Sequence, residues 1–410
     1  MTRAGVLYLT RNGLLEPLGQ SQVLAYLRGL SRTYDITVVS FEKPADINNK
    51  ALVQRIRNDC TMHGIRWLPQ LFRTGPKVVA PLQDMATFLR LARREVREAN
   101  IRLIHARSYI PAVIAMLTGR VAGVPFIFDM RALWPEELIT AGRLRRGSLL
   151  HRAIVMAERA CLRRAGAVVS LTHAAVNYLE RQYPEALREQ QVIVIPTCAD
   201  LDRFAPNGNQ GGPMPTNAPV FGCIGTVLSG WFRVDWLAAF FKTVARRNSE
   251  ARFEIITRDS AEAVRTALAN HGFVSDRLTV QALDPLEMPA AVRRHTASAM
   301  FYRGGEISEL GRSPTRLAEV LGCGVPALVN PGVGDTEKIV LEGRVGISVE
   351  QGDEEAMETA FDALARLQAD NEVSARCRRV AEITFSLEVG TRAYADIYAR
   401  LLHPTASDAV

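Results

Sequence analysis

Short apolar runs alternate along the chain with stretches in which apolar residues recur every three or four positions. VLYLT (6–10), ITVVSF (36–41), GIRWLP (64–69), LIHA (103–106), PFIFDM (125–130), AVVSLT (167–172) and VIVIP (192–196) have the length and β-branched content of strands. Between them, Val23, Leu24, Leu27 and Leu30, then residues 88–96 and 149–162, keep helical spacing. Near-continuous apolar strands separated by helices predict a parallel sheet covered on both faces. The rhythm breaks at APNGNQGGPMPTNAP (205–219), whose Gly, Pro and Asn predict a linker. It restarts with VFGCIG (220–225), RFEIIT (252–257), LTVQAL (278–283), SAMFY (298–302), PALVN (326–330) and VGISV (345–349). The expectation is α/β: two Rossmann-like, doubly wound domains, 1–204 and 220–386, taking ligand in a cleft at the carboxyl ends of both sheets.

A length of 410 residues agrees with two domains, and 48% hydrophobic with 23% charged residues is globular. Cys60, Cys161, Cys198, Cys223, Cys323 and Cys377 are scattered without C-x-x-C pairing, which reads as reduced thiols of a cytoplasmic enzyme. A strand beginning by residue 6 leaves no room for a signal peptide, and polar and breaking residues interrupt the longest apolar stretch, 110–128. Residues 1–200 carry 28 Lys and Arg against 16 Asp and Glu, whereas residues 201–410 carry 22 against 27. A basic first half suggests an acidic partner, such as anionic lipid or a polyanionic acceptor, or else a solvated surface. With no zinc finger and no aromatic-basic RNA motif, no nucleic-acid partner is expected.

Two segments invite a chemical reading. RNGLLEPLGQSQ (11–22) follows a strand and opens a helix, yet it has neither the lysine of a P-loop nor dinucleotide glycine spacing. In GRSPTRLAEVLGCGVPALVN (311–330), Ser313 suits an N-cap and Pro314 a first helical turn. Free N–H groups at 314–316, beside Arg312 and Arg316, would suit a diphosphate. Glu319 lies one turn on, able to accept from a ribose diol; alternatively it forms a surface i,i+3 pair with Arg316.

SPTRLAEVLGCGVPALVN resembles the nucleotide-binding helix of the retaining glycosyltransferases of the GT-B fold, family 4. The resemblance places Glu319 on the glutamate that the family uses on the nucleotide ribose. The family's other glutamate, against the transferred sugar, falls on Gly311, so either Glu306 or Glu309 substitutes or backbone amides orient the sugar. GTVLSGWFRVDWL (225–237) resembles the glycine turn of the donor domain. It lacks the usual Arg-x-x-x-x-Lys pair, which leaves Gly225, Arg258, Arg303, Arg312, Ser313, Pro314, Thr315 and Arg316 as donor-binding candidates, with Trp231 and Arg233 nearby. In the first domain LIHARSYIPAV (103–113) and FDMRALWPEE (128–137) resemble the family's acceptor-side loops. They imply catalytic roles for His105, Asp129 and Arg131 and acceptor contacts by Arg107 and Ser108. The alternative is a satisfied near-core histidine and a structural ion pair. By the same resemblance the glycines of 11–22 would let backbone approach the donor phosphate and acceptor, with Gly19 a donor-binding residue, Gly19 and Ser21 offering backbone amides and Glu16 an acceptor contact. Asp200 reads as structural rather than catalytic, and Asp335 either as a donor contact or as part of a plain strand–helix turn. A terminal helix, about 387–404, is expected to pack back on the first domain.

The implied reaction moves a sugar from a nucleoside-diphosphate sugar, UDP- or GDP-linked, to an acceptor hydroxyl with retention. The acceptor would be a glycan or lipid-linked glycan of bacterial surface polysaccharide assembly. Contact with anionic membrane through the basic first domain would place the enzyme at the inner face. With no D-x-D-like pair at a strand end, no metal and no cofactor are expected. A nucleotide-sugar 2-epimerase of the same fold and a non-catalytic nucleotide-sugar-binding scaffold are the alternatives.

Overall fold

The computed structural model describes residues 3–73, 79–188, 192–206 and 218–403. Most of the expected linker, 207–217, lies outside the described residues. The chain divides into two compact units, one formed by residues up to Pro196 together with those from Leu387 onward, the other by Thr197–Ser386.

The first unit is built on a parallel sheet of β1 (Gly5–Thr10), β2 (Asp35–Glu42), β3 (Arg66–Leu71), β4 (Ile101–Arg107), β5 (Phe126–Asp129), β6 (Ala167–Ser170) and β7 (Val192–Val194). Their order is β3-β2-β1-β4-β5-β6-β7, which changes direction between β1 and β4. The central strands are apolar on both faces because helices cover both: Val6, Leu7, Leu9, Leu103, Ile104, Ala106, Ile127 and Phe128 are all buried. The second unit repeats the plan with β8 (Val220–Ile224), β9 (Arg252–Ile256), β10 (Leu278–Gln281), β11 (Ala297–Ala299), β12 (Ala327–Val329) and β13 (Gly346–Ser348). Its order is β10-β9-β8-β11-β12-β13, all parallel. A core of Phe221, Phe240, Phe241, Phe253 and Phe301 fills one face of this sheet, and Leu317, Leu321, Val329 and Phe385 belong to the other core cluster. In each unit the strand order reverses, between β1 and β4 and between β8 and β11, and sheets of this kind take ligands at the carboxyl ends beside such a reversal.

The helix Leu387–Leu402 belongs to the first unit, against β4 and the helix Ala25–Leu30. Its Tyr394, Ile397, Tyr398 and Leu402 are buried. Tyr394 meets Tyr26 edge-on at 5.3 Å, and Tyr398 meets Tyr34 at 5.1 Å. Gly29 has no room for a side chain, since a Cβ there would lie 2.5 Å from Thr391 Cγ2. That close approach explains a glycine in the last turn of this helix.

Candidate functional site

In the second unit the candidate residues gather where β8, β11 and β12 end. The chain leaves β8 through Gly225, whose φ of +113° only glycine adopts readily. A Cβ at Gly225 would sit 3.8 Å from Arg316 Cγ, so Arg316 lies across this turn. Arg316 in turn pairs with Glu319 three residues on, and Glu319 is buried. Burial works against the Arg316 charge, but Glu319 more than offsets it and raises the pKa. The pair is the i,i+3 contact expected as one alternative, with its acid buried and its base 38% exposed.

The turn after β8 is anchored by a residue that the sequence did not single out. Asp259 Oδ2 accepts from Val227 N (2.7 Å) and Leu228 N (3.0 Å). Further on, Trp231 O accepts from Arg303 N at 2.9 Å and Phe301 O from Arg233 N at 2.9 Å, so this loop pairs with the segment leaving β11. That segment, Arg303-Gly304-Gly305-Glu306, packs backbone on backbone against Pro331 and Gly332 after β12. A Cβ at Gly304 would lie 2.2 Å from Pro331 O, and one at Gly332 2.6 Å from Gly305 N. Asn330 closes the seam, accepting from Tyr302 N (2.8 Å) and donating to Tyr302 O (3.0 Å).

Several expectations are corrected here. The helix runs Thr315–Gly322 with Pro314 as its cap, at φ −68° and ψ 116°. Ser313 does not cap it: its Oγ accepts from Thr197 N (3.2 Å), and its carbonyl accepts from Thr197 Oγ1 (2.6 Å). Because proline has no N–H, the first-turn donors begin at Thr315 rather than at 314. Glu309 is 0% exposed and is gripped on both oxygens by Arg312, so it presents no oxygen to a sugar. Arg312 is spent the same way, its guanidinium also lying 5.5 and 5.6 Å from the ring centres of Trp231 and Tyr302. Glu306, Arg258 and Arg303 are exposed on loops after β9 and β11. Arg233 is drawn away by Asp235 (2.9 Å) and stacks 4.7 Å over Trp236. Asp200 Oδ1 accepts from Arg203 N at 3.2 Å, a turn contact in keeping with a structural role.

In the first unit, strand register explains the other cluster. Tyr8, His105 and Ile127 are aligned across β1, β4 and β5, as are Thr10, Arg107 and Asp129 one step nearer the carboxyl edge. Residues aligned in this way share a sheet face, and Tyr394 and Tyr398 of the terminal helix cover it. His105 Nδ1 lies 2.8 Å from Tyr398 OH, and its Nε2 lies 3.4 Å from Asp129 Oδ2. Tyr394 OH donates to Asp129 Oδ2 at 3.1 Å, and Arg131 Nη1 donates to Tyr394 OH at 3.2 Å. Burial pushes the Asp129 pKa up, but Arg131, His105 and Arg107 outweigh it and hold the carboxyl at about 2. Burial lowers the His105 pKa further than Asp129 raises it, so the imidazole stays neutral.

His105 and Asp129 are each 1% exposed, so neither presents an atom for catalysis. Of the two readings left open, the geometry is that of a satisfied histidine and a structural ion pair. Arg131 (φ +53°) and Ser108 (φ +77°) hold strained backbone at the ends of β5 and β4, joined by Ser108 N donating to Asp129 O at 2.7 Å. Arg107 is 4% exposed, and its Nε and Nη1 have no hydrogen-bond partner.

The loop after β1 is also corrected. Glu42, buried at the end of β2, accepts from Leu14 N (2.9 Å) and Leu15 N (3.1 Å). Gly13 lies against that carboxylate, and a Cβ on Gly19 would stand 1.8 Å from Gly13 O. These glycines serve chain packing rather than phosphate approach. Ser21 Oγ donates to Pro17 O (2.9 Å), and Glu16 is engaged by Lys43 Nζ (2.7 Å). Among the described residues no group of three or more His, Cys, Asp or Glu is placed to hold a metal ion.

Comparison with known proteins covers both units. Residues 19–203 match the family described as Glycosyltransferase Family 4, and residues 218–367 match Glycosyl transferases group 1. No curated protein matches the chain. Among solved structures, sucrose-phosphate synthase from Thermosynechococcus elongatus aligns over 98% of this chain and 100% of its own, with 13% identity and a TM-score of 0.74. A glycosyltransferase from Rickettsia africae aligns over 99% and 100%, with 14% identity and a TM-score of 0.70. Anabaena HepE, solved with UDP and glucose, aligns over 96% and 99%, with 14% identity and a TM-score of 0.66. At such identities the likeness establishes the fold.

Proposed function

The chain belongs to the family 4, group 1 glycosyltransferases of the GT-B fold, and from that membership we propose that it transfers a sugar from a nucleoside-diphosphate sugar with retention at the anomeric carbon. The observation that carries the reading is Arg316, laid across the Gly225 turn and braced by Glu319 at the opening of the helix Thr315–Gly322. Arg316 and the first-turn amides would meet the diphosphate, and Glu319 the ribose diol. Charge growing on the departing diphosphate is then neutralised by groups already in place. Retention follows if the acceptor hydroxyl attacks from the leaving-group side and gives its proton to the leaving phosphate.

The test is donor turnover on UDP- and GDP-sugars with a panel of glycan acceptors, with and without a chelator. Nucleoside diphosphate is expected to appear only with acceptor and to keep appearing in chelator, and NMR should find the donor's anomeric configuration in the product. An inverted linkage overturns retention, and abolition by chelator overturns metal independence. Change at the sugar's C2 without acceptor identifies an epimerase instead, and donor binding without turnover a scaffold.

The acceptor is proposed to be a surface glycan or its lipid-linked precursor, met at the cytoplasmic face of the membrane. Support comes from the helix Leu149–Arg164 of the first unit. Leu149 (84%) and Met156 (68%) are exposed there, as is Leu150, among exposed Arg143, Arg145, Arg152, Arg159 and Arg164. Arg164 reaches Met116 Sδ (4.0 Å) on the helix Tyr109–Ala122, whose Leu117 and Val121 extend the apolar surface. Apolar side chains among arginines suit an interface rich in anionic lipid. No helix among the described residues is long and apolar enough to cross a membrane. Co-sedimentation with phosphatidylglycerol vesicles is expected, falling in high salt and in Met156→Glu. Equal binding to neutral vesicles, or none to either, overturns the contact.

A further inference from the structure

We infer that the first unit binds an anionic group of the acceptor, a phosphate or a carboxylate, on Arg107 and Arg131 at the carboxyl edge of its sheet. The inference rests on the transferase reading, with the acceptor on this unit, and adds the acceptor's charge class.

The observation is an imbalance of buried charge. Arg107 and Arg131 carry two positive charges, Asp129 supplies one negative, and His105 stays neutral. Arg107 is charged regardless of burial, because a guanidinium does not give up its proton in a protein. It lies 4% exposed with Nε and Nη1 buried and unpartnered, and Arg131 Nε is in the same condition. Asp129 favours the Arg107 charge but gives its Nε and Nη1 no hydrogen bond. Its Oδ2 is taken by Tyr394 OH, while its Oδ1 lies 3.6 Å from Arg131 Nη1. The charged and titratable groups acting on Arg107 are Arg131, Tyr8, Asp129 and Tyr394, and of these only Asp129 is anionic.

Buried donors without acceptors are costly and few in folded proteins, so their presence here needs a reason. Two further features place that reason at a ligand. Ser108, directly after β4, and Arg131, two residues after β5, hold left-handed backbone that non-glycine residues rarely adopt. Both are partly exposed, next to the buried Arg107. The place is also beside the reversal of strand order, where α/β sheets receive ligands. A planar oxyanion edge fits guanidinium donors in pairs, and one anion would restore neutrality.

The experiment follows thermal unfolding at constant ionic strength against inorganic phosphate and, separately, sodium glucuronate. It compares wild type with Arg107→Met, Arg107→Lys and Arg316→Ala. At least one anion is expected to raise the wild-type Tm, and the rise should persist in Arg316→Ala, which disables the donor side. In Arg107→Met the rise should vanish, with a Tm in plain buffer equal to or above wild type, because an uncompensated charge has been replaced by an apolar chain. A response to phosphate points to a phosphate-bearing acceptor, and one to glucuronate to an acidic sugar. A response unchanged in Arg107→Met, absent from wild type, or lost in Arg316→Ala instead overturns the site. Should Arg107→Met fail to fold, Arg107→Lys decides: a weakened response supports the site, and an undiminished one overturns it. Failure of wild type to release nucleoside diphosphate would strike the transferase reading alone, leaving the anion titration as it stands.

Discussion

Arg316→Ala is expected to lower kcat/KM for the nucleotide sugar by about 10²–10³ while leaving the fold intact. The side chain is 38% exposed and packs on the open side of the Gly225 turn, so truncation leaves no cavity in the core. What is lost is the fixed positive charge that would face the departing diphosphate. The conservative Arg316→Lys should recover little, because a lysine cannot both brace against Glu319 and present paired donors. Glu319→Ala should fall nearly as far by a different route, losing the ribose contact and the brace on Arg316, with a marked rise in donor KM. Steady-state kinetics with circular dichroism as the check on folding separates the two. Wild-type-like kinetics in Arg316→Ala would remove the residue from the donor site and take the Gly225 arrangement with it.

Much of the architecture is legible in the chain, because strands buried on both faces must be apolar along their whole length. VLYLT, ITVVSF and PFIFDM each announce a strand that the sheet contains as β1, β2 and β5. The helix carrying Arg316 and Glu319 is legible too, from Leu317, Val320 and Leu321 on one stripe and Gly322 at its end. Where reading failed, the deciding partner was distant in sequence or had no pattern of its own. Ser313 has the form of an N-cap, but Thr197 claims its hydroxyl across 116 residues. Glu309 sits in a loop that looks exposed, yet Arg312 and the Gly334 amide (2.9 Å to its carbonyl) seal it inside. Asp259 and Glu42 fasten the turns after β8 and β1 as single carboxylates on backbone amides, an arrangement without a spacing signature. The His105 environment depends on Tyr398, which lies 293 residues away.

Asp129→Asn should be the most destabilising single change in the first unit, by about 3–5 kcal/mol, since it leaves two buried guanidiniums without a counter-charge. The isosteric amide keeps the volume and can still meet Tyr394 OH, so the loss reports charge and not packing. In urea unfolding at neutral pH the midpoint should fall with little change in slope. The pH dependence gives the stricter check. Burial raises the Asp129 pKa, and the cations around it lower it further, from 3.8 to about 2. A carboxyl held lower in the folded state stabilises fully above its unfolded pKa, and that contribution drains away as pH falls through the folded one. The shift is worth about 2 kcal/mol, present above about pH 4 and gone below about pH 2. Wild type should therefore lose this increment across the window while Asp129→Asn, which has no proton to take up there, does not. Stability curves of the two proteins should converge on acidification, and a gap that stays constant from pH 5 to pH 2 would mean the carboxylate charge is not what holds Arg131 and Arg107 inside.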